Sequence, residues 1–388
     1  PPPPPPPHTE TKSSAASDVY KRQPAGGVVG ALAAAGAAGF ERVLAFDMGG
    51  TSTDVARLEG KPSFRYEQEI GPVRVLAPAV RIETVAAGGG SICRWSNGGL
   101  EVGPESAGAN PGPASYGRGG PLTITDVNLL SGCMDAAKAG IPLDASAASG
   151  RLEELKSVMR DEGAAVPGDE ELLEGLREIA VERMADAIRK VSLRDGYDPA
   201  GYVLVAFGGA GPQHACAVAA KLGVREILVP GDAGLLSAWG LHRSARQSIV
   251  ERQVLQGFGE GDWDLPALAA ALAQEAVDGL AEGATVSRYL LELRLRGQDA
   301  SLEVEFDKPP EPDAAVSAFR EKYEALYGYD VPAGRTIEVV AVRVVAAERL
   351  DPMEAEDFGA GGGPVASRRV MQDAFRTCVV DPGWEVVE

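Results

Sequence analysis

Basic charge is scarce in this 388-residue sequence. The sequence has only 37 lysine and arginine residues but 56 aspartate and glutamate residues, which gives a formal net charge of -19. No basic block interrupts this excess, so phosphate backbones and anionic membrane surfaces would repel the chain on average. We therefore expect neither a nucleic acid nor a membrane as a partner.

Residues for metal or nucleophilic chemistry are also few. The sequence has three histidines, and its four cysteines form no CxxC pair, which excludes a zinc ribbon or a disulfide framework and fits a reducing cytoplasm. The GxxxxGK[ST] pattern of P-loop ATPases and the GxSxG pattern of serine hydrolases are both absent. The cysteines are Cys93, Cys133, Cys216 and Cys378.

Long hydrophobic runs are missing as well. The longest apolar run near the start, "GGVVGALAAAGAAGF", is mostly glycine and alanine, too weakly apolar to span a bilayer, and no signal-peptide pattern precedes it. With 45% hydrophobic residues the chain is nevertheless expected to be a soluble globular protein. Residues 1–23, a proline run and a polar segment, are interpreted as a non-native or disordered leader, with a proline-rich binding tail as the alternative.

Residues 24–244 have the pattern of an α/β domain. The runs "RVLAFD" and "VARLEG" flank "DMGGTSTD", which predicts a β-hairpin with this motif at its tip. Apolar residues recur at helical spacing from Asp169, which predicts a long helix. The stretch "YVLVAFGGAGPQHACAVAAKLGVREILVP" predicts a βαβ unit, with a helix stop at Gly223, and therefore a parallel sheet.

Two further segments of this domain can be interpreted. Residues 103–120 contain too many glycines and prolines for regular structure, so we expect a long ordered loop. The stretch "LTITDVNLLSG" that follows predicts a strand, a turn and a helix capped by Asp126.

The pattern changes near residue 245. Residues 245–350 alternate in "SRYLLELRLRGQDASLEVEF" and "RTIEVVAVRVVAAERL", which predicts a β-rich module of antiparallel strands with a helix around "AVSAFREKYEALYG". Residues 351–388 are interpreted as a glycine-rich linker and the start of a further segment.

The hairpin motif carries the clearest chemistry. Glycines let backbone amides approach an anion, hydroxyls add donors, and carboxylates can hold hydrated magnesium or orient water. A tight turn whose side chains satisfy its own amides would explain the motif equally well. The candidate residues are Asp47, Gly49, Gly50, Thr51, Ser52, Thr53 and Asp54.

Two more glycine clusters favour a ligand crevice. Gly88, Gly89 and Gly90 form an uninterrupted run, typical of backbone that passes close to a ligand or another chain, although a loose loop is the alternative. The second cluster lies between a strand and a helix N-terminus, where a plain βα turn is the commoner explanation; it comprises Gly208, Gly209 and Gly211. His214 is interpreted as a packing or capping residue of this helix, with contact to a ligand phosphate as the alternative, and Cys216 as a buried structural thiol.

Together, these motifs resemble the hydantoinase A / 5-oxoprolinase family. The resemblance runs from Pro24 to about Val345 and rests on "FDMGGTSTDV", "VAAGGGS", "VGPESAGANPGPASYGRGG", "LTITDVNLL", "SLRDGYDP", "FGGAGPQHACAVA" and "GLLSAWGL", in this order. Within the family, "VAAGGGS", "GGAGPQHACA" and "LRLRGQDASLEVEF" look more like ATP-dependent 5-oxoprolinases than like acetone or acetophenone carboxylase subunits.

The resemblance implies an actin/Hsp70/sugar-kinase-like (ribonuclease H-like) ATPase fold that uses ATP and Mg²⁺. Asp47, Thr51 and Asp54 would then be catalytic, with Asp47 at the metal, and the glycine clusters and hairpin hydroxyls would bind the nucleotide. The family's N-terminal lobe, with a first phosphate hairpin, is expected to be missing, because the chain enters the "SGPAGGVVGA" motif in its middle, so the chain alone is expected to be inactive.

The resemblance further implies ATP-dependent opening of a lactam or other cyclic amide, with 5-oxoprolinase favoured. An N-methylhydantoinase or a carboxylase subunit is the close alternative, and a non-catalytic nucleotide-binding assembly subunit is the alternative from another class. The expected partners are a hydantoinase B-type subunit or fused domain, and other copies in an oligomer.

Overall fold

The computed structural model describes residues 15–60, 64–70, 73–244, 246–261, 263–332, 334–348, 363–364, 367–373 and 376–387. The α-helices of these residues are α1 Ala15–Ala37, α2 Ile124–Leu130, α3 Ala145–Asp161, α4 Asp169–Val191, α5 Gly211–Leu222, α6 Leu236–His242, α7 Leu265–Asp278 and α8 Pro312–Tyr327. The strands are β1 Arg42–Met48, β2 Thr53–Glu59, β3 Phe64–Ile70, β4 Val73–Val80, β5 Glu83–Val85, β6 Ser91–Ser96, β7 Gly99–Ser106, β8 Val203–Phe207, β9 Glu226–Leu228, β10 Gln247–Gly257, β11 Thr285–Leu295, β12 Leu302–Phe306, β13 Ile337–Ala347, β14 Gly363–Pro364, β15 Arg369–Gln372, β16 Thr377–Val380 and β17 Glu385–Val386.

The chain divides into two compact units. The first comprises Pro1–Arg243 and Met353–Glu388, and the second comprises Ser244–Pro352. The first unit is therefore discontinuous in sequence.

A mixed five-stranded sheet organises the first unit. Its strand order is β5-β2-β1-β8-β9, with β1 antiparallel to β2 and parallel to β8, and with β8 parallel to β9. This arrangement confirms the predicted hairpin and the predicted βαβ unit. The helix stop at Gly223 is also confirmed, because this residue caps α5 with a φ of 69°.

Alternation along β1 explains why helices cover both faces of this sheet. Leu44, Phe46 and Met48 join the core on the face of α2, α4 and α5, whereas Val43 and Ala45 join the core on the face of α1 and α6. All five side chains are buried, as expected for a strand with helices on both sides.

Helix α1 begins inside the segment interpreted as a leader. It runs from Ala15 and crosses the expected boundary at Pro24. Residues 1–14 lie outside the described residues.

The 103–120 region is not entirely the loop expected from sequence, because β7 extends to Ser106 and Ala114–Tyr116 forms a 3₁₀ helix. One carboxylate holds this 3₁₀ helix in place. Asp126 is fully buried and accepts hydrogen bonds from the backbone N–H groups of Ala114 (3.0 Å), Ser115 (2.8 Å) and Thr123 (2.8 Å). The N-cap of α2 is Thr123, and Asp126 completes its capping box from inside the first turn, which corrects the expectation that Asp126 is the cap. The strand expected before α2 is reduced to an isolated bridge between Ile92 and Thr123.

The second unit is an antiparallel sheet covered by two helices. The strand order is β10-β13-β11-β12, and α7 and α8 pack their apolar residues against it. The predicted strands and the helix α8 are confirmed. Helix α7 was not predicted.

The C-terminal residues belong to the first unit. Strands β15 and β16 pair as an antiparallel hairpin, and Cys378 and Val380 of β16 pack against Cys216 of α5. This differs from the expected further segment, because these apolar side chains are buried against the βαβ unit. Most of the glycine-rich stretch expected to be a linker lies outside the described residues.

Candidate nucleotide and metal site

The hairpin motif sits where β1 ends and β2 begins. Asp47 lies directly opposite Asp54 in the antiparallel register, and Met48 lies opposite Thr53. The N–H of Gly49 donates to the carbonyl of Ser52 at 3.0 Å, so the tip comprises four residues. The hairpin thus holds two carboxylates side by side below a glycine-rich turn.

The run of three glycines packs against this tip. Gly89 N–H donates to the Gly49 carbonyl at 3.0 Å, and Gly90 N–H donates to the Gly50 carbonyl at 2.6 Å. A Cβ atom on Gly88 would lie 2.6 Å from the carbonyl carbon of Thr51, closer than real contacts allow. The glycine run 88–90 is therefore required by close approach of two backbones, as the sequence indicated.

The glycine turn after β8 packs against Asp47. Gly208 has a φ of 77°, and a Cβ on it would lie 2.4 Å from Asp47 Oδ1. The other carboxylate oxygen, Oδ2, accepts a hydrogen bond of 2.8 Å from the Ser237 hydroxyl. The parallel pairing of β1 with β8 brings all of these groups to one end of the sheet.

The two opposed carboxylates have altered acidity. Burial raises the pKa of Asp47 to about 6, a shift that the Ser237 hydrogen bond opposes and the negative charge of Asp54 reinforces. Burial also raises the pKa of Asp54, against a hydrogen bond from Thr84. A divalent cation would relieve this repulsion, and Mg²⁺ commonly uses one or two carboxylates, with water and phosphate oxygens as the other ligands.

No group of three or more histidine, cysteine, aspartate or glutamate side chains positioned to hold a metal occurs among the described residues. An all-protein metal cage is therefore not formed there. Two carboxylates beside a glycine-rich turn match the Mg²⁺ pattern better than the zinc pattern.

A cavity of about 310 Å³ opens beside the hairpin tip. Gly49, Gly50, Gly89 and Gly209 line it, so the structure brings all three predicted glycine clusters to one space. Within the described part of the chain, the N–H groups of Gly50 and Gly209 donate to no other residue. Such N–H groups can donate to oxygen atoms of an anion.

The remaining predicted residues take other places. Asp47, Thr51, Ser52 and Asp54 belong to the hairpin but do not line the cavity. Thr53 is fully buried, and its hydroxyl donates to the Ala87 carbonyl at 2.5 Å. The buried or closely packed glycines form supporting contacts behind the lining; these are Gly88, Gly90, Gly208 and Gly211.

Several lining residues were not anticipated from sequence. Gln213 of α5 contributes from one side, Lys138 from the segment between α2 and α3, and Gln372, Asp373 and Arg376 from the C-terminal hairpin. No local pattern marks the last three, because they reach the cavity only through the packing of β16 on α5.

A buried polar network supports Gln213. Asn128 Nδ2 donates to Gln213 Oε1 at 2.9 Å and lies 3.1 Å from His214 Nε2. Burial lowers the pKa of His214 to about 3, so its ring is neutral at physiological pH. The expectation that His214 is a packing residue is confirmed, since its side chain is fully buried.

Comparisons with known proteins agree with this description. The hydantoinase/oxoprolinase family model matches residues 10–247. The 5-oxoprolinase PfmaA of Pestalotiopsis fici is 42% identical over 235 residues, which is 58% of this chain and 18% of that protein. The 5-oxoprolinase 1 of Arabidopsis thaliana is 33% identical over 349 residues, which is 83% of this chain and 27% of that protein.

A solved structure shows the same fold. The ATP-dependent caprolactamase from Pseudomonas jessenii superposes with a TM-score of 0.75 and 27% identity, covering 94% of this chain and 60% of that one. The chain thus spans only part of the length of the proteins that it matches. None of the helices in the described ranges is long and apolar enough to cross a membrane. The match to the family model covers more than half of the sequence, and the glycine-rich hairpin with its two supporting clusters agrees with it. The chain therefore belongs to the hydantoinase/oxoprolinase family.

Proposed function

We propose that this chain is the nucleotide-binding part of an ATP-dependent cyclic amide hydrolase, with 5-oxoprolinase as the favoured activity. The observation that carries the proposal is the convergence of three glycine clusters on one cavity beside two opposed carboxylates. The names of the relatives PfmaA and 5-oxoprolinase 1 support the choice of substrate. The reaction would convert 5-oxo-L-proline, ATP and water to L-glutamate, ADP and phosphate.

The residues present fit ATP and Mg²⁺. The N–H groups of Gly50 and Gly209 would donate to phosphate oxygens, and Asp47 with Asp54 would hold Mg²⁺ or its water ligands. ATP would supply a phosphoryl group that activates the amide oxygen, so that water can open the ring. The protein's part is to position the phosphates and to keep Asp47 oriented through Ser237.

The fold supports the same proposal. A mixed sheet with helices on both faces and a βα glycine turn at its edge suits an actin-like ATPase lobe spanning residues 24–244. Residues 245–350 would form a separate β-rich module. Full activity would need a facing lobe and a hydantoinase B-type partner or fused domain.

Caprolactam is the second candidate substrate. The similarity to the caprolactamase from Pseudomonas jessenii favours it, because that enzyme's fold covers 94% of this chain. A lactam without a carboxylate would then replace 5-oxoproline at the same site.

The test is ADP release by the complete enzyme that contains this chain, with 5-oxoproline as substrate and glutamate measured in parallel. We expect ADP and glutamate to form in equal amounts. Release with caprolactam, with a hydantoin, or with a ketone and bicarbonate instead would reassign the substrate, and tight ATP binding without any turnover would favour the assembly-subunit alternative.

The variant Asp47→Ala tests the site itself. We expect it to reduce ADP release by at least about a hundredfold, since a catalytic carboxylate or metal ligand is lost. Asp161→Asn, an exposed aspartate at the end of α3, is the matched control. Unchanged turnover in a folded Asp47→Ala enzyme would remove Asp47 from the mechanism.

A further inference from the structure

Two cationic side chains from distant parts of the sequence line the cavity. Lys138 ends the 3₁₀ helix Ala136–Lys138, and Arg376 directly precedes β16. Asp373 is the one carboxylate among the described lining residues. Two cationic side chains and one carboxylate therefore line this cavity, in a chain whose formal net charge is -19.

Arg376 is held in place by part of its guanidinium. Its Nε contacts Asp373 Oδ2 at 2.9 Å, and its Nη1 donates to the Pro230 carbonyl at 3.4 Å. Its backbone N–H donates to Asp373 Oδ1 at 3.0 Å. The Nη2 group donates to no residue within the described ranges, so one side of the planar fork is available to a ligand.

Lys138 lies on the segment between α2 and α3, and its side chain is less restrained than that of Arg376. Its Nζ lies 3.9 Å from Asp135 Oδ2, and its side chain is 59% exposed. An ion pair at this distance and exposure is weak. The ammonium group can therefore turn to an oxyanion in the cavity.

Direct contacts fix the two segments relative to each other. The backbone N–H of Asp135 donates to Gln372 Oε1 at 2.8 Å, which ties the Lys138 segment to the end of β15. Strand β16 is anchored in turn by Cys378 and Val380 against Cys216. The two cations thus lie on segments that are in direct contact with each other.

We propose that Lys138 and Arg376 form an oxyanion subsite in this cavity, which binds either the carboxylate of the cyclic amide substrate or a phosphate group of the nucleotide. The inference rests on the proposed function for the identity of these ligands. Guanidinium and ammonium groups are the side chains that bind such oxyanions, and glycine N–H groups on the opposite wall add neutral donors. The C-terminal hairpin is thereby a part of the binding site.

Calorimetric titration of the 388-residue chain tests the subsite directly. The probes are 5-oxoproline, 2-pyrrolidone, which has the same ring without the carboxylate, and inorganic pyrophosphate. The variants are Arg376→Gln and Lys138→Gln, with Arg160→Gln, an exposed arginine of α3 outside the cavity, as the matched control. Because Lys138 is exposed, its variant keeps the test valid if Arg376→Gln fails to fold.

We expect each cavity variant to weaken one anionic probe about tenfold, as for loss of one charge-assisted hydrogen bond, and to leave 2-pyrrolidone unchanged. Weaker 5-oxoproline binding identifies the substrate carboxylate, and weaker pyrophosphate binding identifies the nucleotide. Unchanged binding of both anions, no binding of either by the parent chain, or equal weakening of the neutral ring would overturn the proposal. Retained anion effects with no ADP release by the complete enzyme would instead refute the proposed function alone.

Discussion

The fully buried imidazole of His214 makes the stability of the first unit depend on pH. Burial lowers the pKa of this side chain from 6.5 to about 3, with a smaller contribution from the positive charge of Arg177 and an opposing one from Asp381. The folded state therefore binds the proton less tightly than the unfolded state. His214 supports the fold fully above pH 6.5, and this support is lost as the pH falls towards 3.

The size of the effect follows from linkage. Each unit of pH below the unfolded pKa costs about 1.4 kcal/mol as long as folded His214 stays neutral. Between about pH 8 and about pH 5 the protein crosses the unfolded pKa of 6.5 but stays above the folded value. We therefore expect His214 to account for a loss of about 2 kcal/mol in the free energy of unfolding.

Urea unfolding at the two pH values, followed by tryptophan fluorescence, measures this loss. Trp95, Trp239 and Trp384 lie in the same unit as His214, so they report on its unfolding. Other groups also titrate in this range, and the effect of His214 is therefore the difference between the parent chain and His214→Gln. The exposed residue His242, changed to glutamine, is the matched control.

The expected result is a pH dependence that is about 2 kcal/mol smaller in His214→Gln than in the parent chain and in His242→Gln. Equal pH dependence in all three proteins would refute the reasoning, because it would mean that His214 is protonated equally in the folded and unfolded states. A general loss of stability in His214→Gln at both pH values would not imitate this signature.

Two further predictions concern the packing behind the site, and both are checked by urea unfolding at neutral pH. Gly88→Ala is expected to lower the free energy of unfolding by about 1–3 kcal/mol, because its Cβ would lie 2.6 Å from the hairpin backbone. Gly50→Ala is the control, since it has open space around it and should change this free energy by less than about 0.5 kcal/mol. Equal effects of the two substitutions would contradict the close approach. Asp126→Ala leaves the backbone N–H groups of Ser115 and Thr123 without an acceptor, whereas that of Ala114 keeps the Pro121 carbonyl, and the variant should cost about 2 kcal/mol or more. A cost below about 0.5 kcal/mol would contradict this expectation.

Local patterns accounted for the elements nearest the site. The hairpin tip, the long helix α4 and the unit β8-α5-β9 are each defined by residues adjacent in sequence, through turn glycines and regular apolar spacing. Helix α7 was missed although its buried residues recur at helical spacing from Leu265. The strand expected before α2 is limited to the bridge at Thr123, because this residue is also the N-cap of α2 and the helix begins directly after it.

The site was predictable only to the level of the glycine clusters. Sequence placed Gly49, Gly50, Gly89 and Gly209 at a common ligand, and the structure places them around one cavity. The sequence could not distinguish residues that line the cavity from supporting residues such as Thr53. This distinction depends on which way each side chain points after the sheet has formed. The sequence could not find Arg376 at all, since burial of β16 on α5 is a long-range contact.

The discontinuity of the first unit explains why Arg376 could not be identified from sequence, and it also determines which charged residues line the cavity. The chain leaves this unit at Arg243 and returns at Met353, after a unit with its own sheet and its own apolar core. A glycine-rich stretch at the point of return predicts a linker when it is considered alone, and the residues beyond it then appear to belong elsewhere. Three buried side chains, Cys216, Cys378 and Val380, outweigh that local pattern by anchoring β16 to the βαβ unit. Because β16 is anchored there, the adjoining residues Asp373 and Arg376 line the cavity. A packing contact without chemical function of its own thus determines which charged side chains lie there.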